Sequence, residues 1–184
     1  MFDTLAAFAM LWAAAFSAGD PVPYETVVAA DPVVAVSPEV ADGSSEDATD
    51  LTPEQAALMA EEPDWNARAS LYHAGGGGAT GNDSLGCRPV PMRTIATDPR
   101  VIPRRTKVFI RETVGMRMAD GTIHDGYWYA SDTGGAIRGQ RVDLYTGNGR
   151  GSMQPVMRFN QQRLTITNAG RFDGCPPAWN TASR

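Results

Sequence analysis

Lysine and arginine are absent from the first 63 residues, which carry 12 acidic side chains and a formal charge of −12. All 16 bases fall in residues 64 to 184 beside 9 acids, so those 121 residues carry +7 and the whole chain −5. An acidic leader therefore precedes a basic domain long enough to bury a core of its own. Cysteine and histidine are equally scarce: Cys87, Cys175, His73 and His124 are all there is. With no Cys-x-x-Cys, ordinary ligand spacings cannot assemble a zinc site, and no metal or cofactor is expected. Long apolar runs are missing too. The stretch from Leu5 to Phe16 is too short to span a bilayer and reads as the apolar part of a signal peptide, with small residues up to Ala18 for cleavage. Asp3 stands where a signal peptide has a positive charge, but export with residues 1–18 as signal is the expectation.

Residues 19–63 are rich in Pro, Ala, Val, Asp and Glu, with few large side chains to bury and like charges that repel, which predicts a disordered linker. Within it "LTPEQAALMAEE" has the start signals of a short helix, Thr52 as N-cap and Pro53 in the first turn. In an exported protein the two cysteines, near opposite ends of the basic domain, are expected to pair and close a loop of 88 residues. On the loop-entropy model that bridge stabilises by about 4–5 kcal/mol. Two free buried thiols are the other arrangement the composition permits.

Residues 64–184 form the folded domain, and its pattern is that of strands. "TKVFIRETV" is rich in β-branched residues and "GYWYAS" is aromatic between small residues, with "ADG" and "HDG" supplying turns between them. "QRVDLY" alternates, Val142 and Leu144 to one face and Arg141, Asp143 and Tyr145 to the other. "RLTITNAGRF" supplies a last strand after a Gly-rich loop. Short strands with frequent Gly and Pro, and no sustained helical period, predict an all-β barrel or sandwich.

Several motifs are weak when taken singly. Asp132-Thr133-Gly134 spells an aspartic-protease signature, but that mechanism needs two such loops and there is one. "GGGG" (75 to 78) lacks the Lys-Ser/Thr of a phosphate loop, and "GNGRG" (147 to 151) lacks a strand–turn–helix frame. The charge of +7 beside Tyr127, Trp128 and Tyr129 is compatible with nucleic acid, but the arginines are scattered and export argues against it. A polyanionic wall polymer would feel the same field.

Read together, "RTIATDPRVIPRRTKVFI" and "YASDTGGAIRGQRVDLYTG" place Asp98, Asp132 and Asp143 in ordered blocks, preceded by "SLGCRPVPMRT" and followed by "GCPP". This resembles the three-aspartate (3D) domain of the membrane-bound lytic transglycosylase A family, over residues 70 to 177. The resemblance implies a six-stranded double-psi β-barrel with a substrate groove into which the three carboxylates converge. It implies Asp143 as the catalytic acid, with Asp132 and Asp98 as its supporting pair. Lys107, Arg138, Gly134, Gly135 and Tyr129 are the implied substrate-binding positions. Arg138 stands where the family often has Lys, and Arg104-Arg105 replaces a common Leu-Gly, so the loop there is expected to differ.

The implied activity is lytic transglycosylation of peptidoglycan glycan strands, cutting between N-acetylmuramic acid and N-acetylglucosamine with formation of a 1,6-anhydro ring. A non-catalytic, expansin-like wall-binding module is the alternative. The implied setting is the periplasm or cell envelope, with the outer membrane as one place of association. There the protein is expected as a monomer without an integral membrane domain once the signal is removed. For the acid to start protonated its pKa must be raised. Asp132, Asp98 and burial act in that direction; Arg141 and Arg138 act against it.

Overall fold

The computed structural model describes residues 50–179, so the expected signal segment and most of the expected linker lie outside the described residues. The described chain runs α1 (Pro53–Ala60), β1 (Trp65–Ala74), β2 (Gly78–Ala79), β3 (Thr94–Thr97), β4 (Thr106–Ile110), β5 (Tyr127–Asp132), β6 (Arg141–Asn148) and β7 (Arg163–Arg171). Two 3-10 segments, Arg111–Thr113 and Arg150–Phe159, complete it. The expectation of an all-β fold holds for the described domain. No helix among the described residues is long and apolar enough to cross a membrane.

The sheet order is β2-β1-β6-β3-β5-β4-β7, and β7 pairs again with β1. The β1/β6 and β3/β5 ladders are parallel; β1/β7, β3/β6, β4/β5 and β4/β7 are antiparallel. Period-two alternation explains what the six longer strands enclose. Each sends residues into one common core: Ala67 and Ala69 from β1, Ile95 from β3, Val108 and Ile110 from β4, Trp128 and Ala130 from β5, Val142 and Leu144 from β6, Leu164 and Ile166 from β7. Trp128 is wholly buried and its indole N–H donates to Thr113 Oγ1 at 3.1 Å, so its one polar atom is satisfied. The alternation expected for residues 141 to 145 is observed.

Two outward faces remain, and they are covered differently. On β4 and β5, Phe109, Tyr127 and Tyr129 pack under Leu58 of α1. Of the stretch read as linker, residues 53–60 are therefore helical and packed. The reason is local. Thr52 and Gln55 form a capping box, Pro53 opens the first turn, and burying Leu58 contributes about 1.5–3 kcal/mol. Gln55 donates to the Asp125 carbonyl at 3.0 Å, Lys107 pairs with Glu54 at 3.2 Å, and Arg111 donates to the Glu61 carbonyl. The other face, on β1, β3 and β6, presents Tyr72, Ala96 and Tyr145 beneath Ile137 from the loop between β5 and β6.

The expected strand through "TKVFIRETV" stops at Ile110. There Thr113 Oγ1 donates to the Ile110 carbonyl at 2.8 Å, and the Glu112 carboxylate accepts the Thr165 N–H. Cys87 and Cys175 form a disulfide with Cα atoms 5.6 Å apart, tying the segment before β3 to the one after β7.

Candidate active site

Asp143 owes its position to β6. Its neighbours Val142 and Leu144 point into the core, so Asp143 points out. In register it lies beside Ser70 of β1 on one side and Ala96 of β3 on the other. Ala96 in turn lies beside Asp132 of β5, where the ladder has an irregularity between Ile95 and Ala96. That irregularity matters. Ile95 pairs with Ala130 and Ala96 with Asp132, so Ser131 is the extra residue of a bulge. Strict alternation would have put Asp132 on the core face with Trp128 and Ala130. The bulge turns it onto the face of Ala96 instead. Ser70, Asp143, Ala96 and Asp132 thus form one row across four strands. Two strand steps separate the aspartate backbones by roughly 10 Å, with only a methyl group between them.

Above this row is a cavity of about 280 Å³ lined by Leu71, Tyr72, Ala96, Asp132, Asp143 and the loop Thr133–Ile137. Gly134 is needed for that loop's course, because a Cβ there would come within 2.8 Å of Ile137 Cγ1. Asp132 is saturated with donors: Tyr72 Oη to Oδ2 at 2.8 Å, and the N–H groups of Ser84 and Thr133 to Oδ1 at 3.1 and 2.8 Å. Asp143 has the opposite inventory, since its Oδ1 is buried without a hydrogen-bond partner. Its pKa is pushed up to about 6, first by burial, against the pull of the Ser70 hydroxyl and Arg141, with the Asp132 charge adding a smaller push. The Tyr72 phenol is driven above its ordinary value by burial and then by the Asp132 charge.

The other expected site residues divide. Gly134 and Gly135 line the cavity. Asp98 does not line it, although it is buried; it accepts the Gly139 N–H at 2.8 Å and pairs with Arg100 at 2.9 Å. Arg100 first and Gly139 next hold the Asp98 carboxyl well below the usual carboxylate range. Asp98 therefore anchors the far end of the glycine loop instead of converging on Asp143. Arg138 is exposed on that loop, its guanidinium 3.4 Å from the Ile137 carbonyl. Lys107 and Tyr129 belong to the other face. Lys107 lies over the Tyr127 ring at 3.8 Å and pairs with Glu54, while Tyr129 packs edge-on against Phe172. Facing each other in the β4/β5 ladder, they are turned away from Asp143 together.

Sequence reasoning missed Tyr72 and Ser70. Both lie on β1, whose core residues Ala67 and Ala69 are small and are flanked by Arg68, so the apolar alternation of a strand is faint there. The one available signal was the register itself: "SLY" (70 to 72) runs parallel to "DLY" (143 to 145), position for position.

The bulge and the paired outward aspartates both lie within one stretch that has a counterpart among known domains. Residues 93–155 match the family model described as the 3D domain. Over that third of the chain the protein is similar to the 3D domain, and it resembles lytic transglycosylases such as MltA. Among solved structures, Escherichia coli MltA with bound chitohexaose is 23% identical, with 52% of this chain and 30% of that one covered at a TM-score of 0.34. The lytic transglycosylase LtgG of Burkholderia pseudomallei is 27% identical over 50% of this chain and 28% of that one, at 0.35. The membrane-bound lytic murein transglycosylase from Agrobacterium tumefaciens is 25% identical over 46% and 23%, at 0.34. The chain spans less than a third of the length of each. No curated protein sequence matches it significantly.

Proposed function

We propose that this domain is a peptidoglycan lytic transglycosylase of the cell envelope in which Asp143 is the acid and base. The reading is carried by one observation: Asp143 lines a cavity with its Oδ1 buried and unpartnered, where burial pushes its pKa up to about 6, while the cavity's other aspartate is already saturated with donors. Such a group holds a proton where an ordinary aspartate has lost it, as a general acid must.

In the proposed reaction Asp143 gives its proton to the glycosidic oxygen between N-acetylmuramic acid and N-acetylglucosamine as the bond from muramyl C1 breaks. The muramyl C6 hydroxyl closes onto C1 and its proton returns to Asp143, leaving a 1,6-anhydro ring and a free hydroxyl on the leaving sugar. No water is consumed, so no second carboxylate has to hold one, unlike the pair in an inverting glycosidase. A tethered nucleophile adds the advantage of effective concentration. Asp132, fixed by Tyr72, Ser84 and Thr133, orients the sugar, and Asp98 holds the glycine loop over it. In this reading the ring of six strands is the double-psi barrel of that family, and the protein acts as an exported monomer.

The test is digestion of purified peptidoglycan followed by mass spectrometry of the muropeptides. Muramyl ends lighter by one water than hydrolysed ends are expected. Ordinary reducing ends would make the domain a hydrolase instead. Binding to the wall without new ends would make it a non-catalytic module.

A further inference from the structure

A second cavity adjoins the first. It is about 260 Å³ in volume, lined by residues 78–84 with Pro89, Asp132 and Thr133, and it shares Gly78, Asp132 and Thr133 with the Asp143 cavity. At about 30 Å³ per liquid water this is roughly nine water volumes, room for a substituent and not for one structural water. Its walls are polar. Two of its lining residues are carboxylates, Asp83 and Asp132, and none is basic. Arg104 reaches its rim only to donate to the Ser84 carbonyl at 3.4 Å.

Asp83 is the unexplained member. It is 6% exposed, and only one of its oxygens has a structural role. Oδ1 accepts the N–H groups of Leu85 at 3.0 Å and Cys87 at 2.8 Å, closing the turn that leads into the disulfide. An asparagine would close that turn equally well. The other oxygen, Oδ2, is buried and has no partner. A buried carboxylate oxygen left without a donor costs stability unless a ligand supplies one. The turn requires one oxygen; the charge and the second oxygen are surplus to it.

We propose that this cavity is a subsite for a positively charged hydrogen-bond donor, a primary ammonium on a short flexible chain, and that Asp83 is the residue recognising it. The inference rests on the proposed wall substrate and extends it. The peptide stems of such a glycan are the part that carries amines, so the subsite would make the protein prefer stem-bearing strands to bare glycan. The shared wall at Asp132 and Thr133 sets the ammonium beside the sugar held at Asp143, within one substrate.

The test is calorimetric binding of the full chain to three probes: a soluble glycan fragment whose peptide stem carries a free side-chain ammonium, the same fragment with that amine acetylated, and the bare glycan. The free-amine fragment is expected to bind about tenfold or more tightly than the acetylated one, as a charge-assisted hydrogen bond implies. Asp83→Asn, which keeps the turn acceptor but puts an amide in the pair, is expected to shrink that preference to about twofold. So is Gly81→Leu, which narrows the cavity from a wall position where an added Cβ meets nothing within 4 Å. Equal affinity for the two stem fragments overturns the subsite, as does a preference that survives Asp83→Asn. Mass spectrometry of the wild-type products reports separately on cleavage. Amine preference without anhydro ends leaves the subsite standing and removes the transglycosylase reading; anhydro ends without amine preference do the reverse.

Discussion

Asp98 and Asp143 are the same residue type in the same three-aspartate pattern, yet their surroundings oppose each other. Asp98 is saturated: Arg100 and the Gly139 N–H satisfy it and hold its proton affinity low. Asp143 is starved, with an unpartnered oxygen, and burial raises its proton affinity. What separates them is the supply of donors, and the strand address decides it. Asp98 comes at the end of β3, where a turn brings Arg100 and the glycine loop within reach. Asp143 is mid-strand on β6, its neighbours being Ser70 and the methyl of Ala96. Spacing in a motif singles out the aspartates; their partners decide which of them holds a proton more readily.

The largest expected effect breaks the pair apart in activity. Asp143→Asn should lower the rate of anhydro-end formation by roughly 10²–10⁴-fold, the range for losing a positioned general acid. Asp98→Asn should cost roughly tenfold or less, through a loosened glycine loop. Counting anhydro ends per unit time for both variants decides the matter. If Asp98→Asn is as inactive as Asp143→Asn, Asp98 is part of the chemistry and the contrast between the two fails.

The second effect is on stability against pH, and the signs differ. Asp143 has a raised folded pKa, so its contribution is full below the ordinary carboxylate value of 3.8 and is lost as pH rises through about 6, a change on the order of 2–3 kcal/mol. His124, wholly buried against Trp128, has its pKa lowered from 6.5 to about 4 by burial. Its contribution is full above pH 6.5 and is lost as pH falls to about 4, on the order of 3 kcal/mol. Between about pH 4 and 6 the two oppose, and the wild-type curve should be shallow. Asp143→Asn removes one of them, so stability should fall as pH drops from 6.5 to about 4. Asp98 has a depressed pKa, so it supports the fold above the ordinary carboxylate range and loses that support as pH falls below it. Asp98→Asn should therefore flatten only the acid limb. Urea unfolding at a series of pH values would show both; an Asp143→Asn curve parallel to wild type would remove the case for a raised pKa.

One side of this contrast was legible in the sequence, and the parts that were not have physical reasons. The face of Asp143 follows from the plain alternation of residues 141 to 145. The helix at 53–60 follows from Thr52 and Pro53, and the structure adds Gln55 as the capping-box partner. The orientation of Asp132 does not follow from alternation at all, because the bulge at Ser131 reverses it. Tyr72 was hidden because β1 buries alanines, whose small apolar signal is masked by neighbouring polar residues. The resemblance put Lys107 and Tyr129 among the substrate-binding positions, but one strand has two faces, and theirs is the one that α1 covers. The role of Asp98 depends on a loop forty-one residues further along the chain, a contact that no local pattern encodes.

The smallest effect tests whether the glycine loop joins the two aspartates. Gly134 and Gly135 are adjacent and both line the Asp143 cavity, but their surroundings differ as sharply as those of the aspartates. A Cβ on Gly134 would press to 2.8 Å from Ile137 Cγ1, and Ile137 is 4% exposed in the cluster of Tyr72, Ala96 and Tyr145. A Cβ on Gly135 would meet no atom within 4 Å. Gly134→Ala should therefore displace Ile137 from the cavity floor, destabilise by about 1–3 kcal/mol as overpacking does, and lower cleavage several-fold. Gly135→Ala should leave stability within about 0.5 kcal/mol. Paired thermal melts and rates would measure both. If Gly134→Ala is as silent as Gly135→Ala, Ile137 can move without consequence. The loop that Asp98 anchors would then not be what shapes the pocket around Asp143.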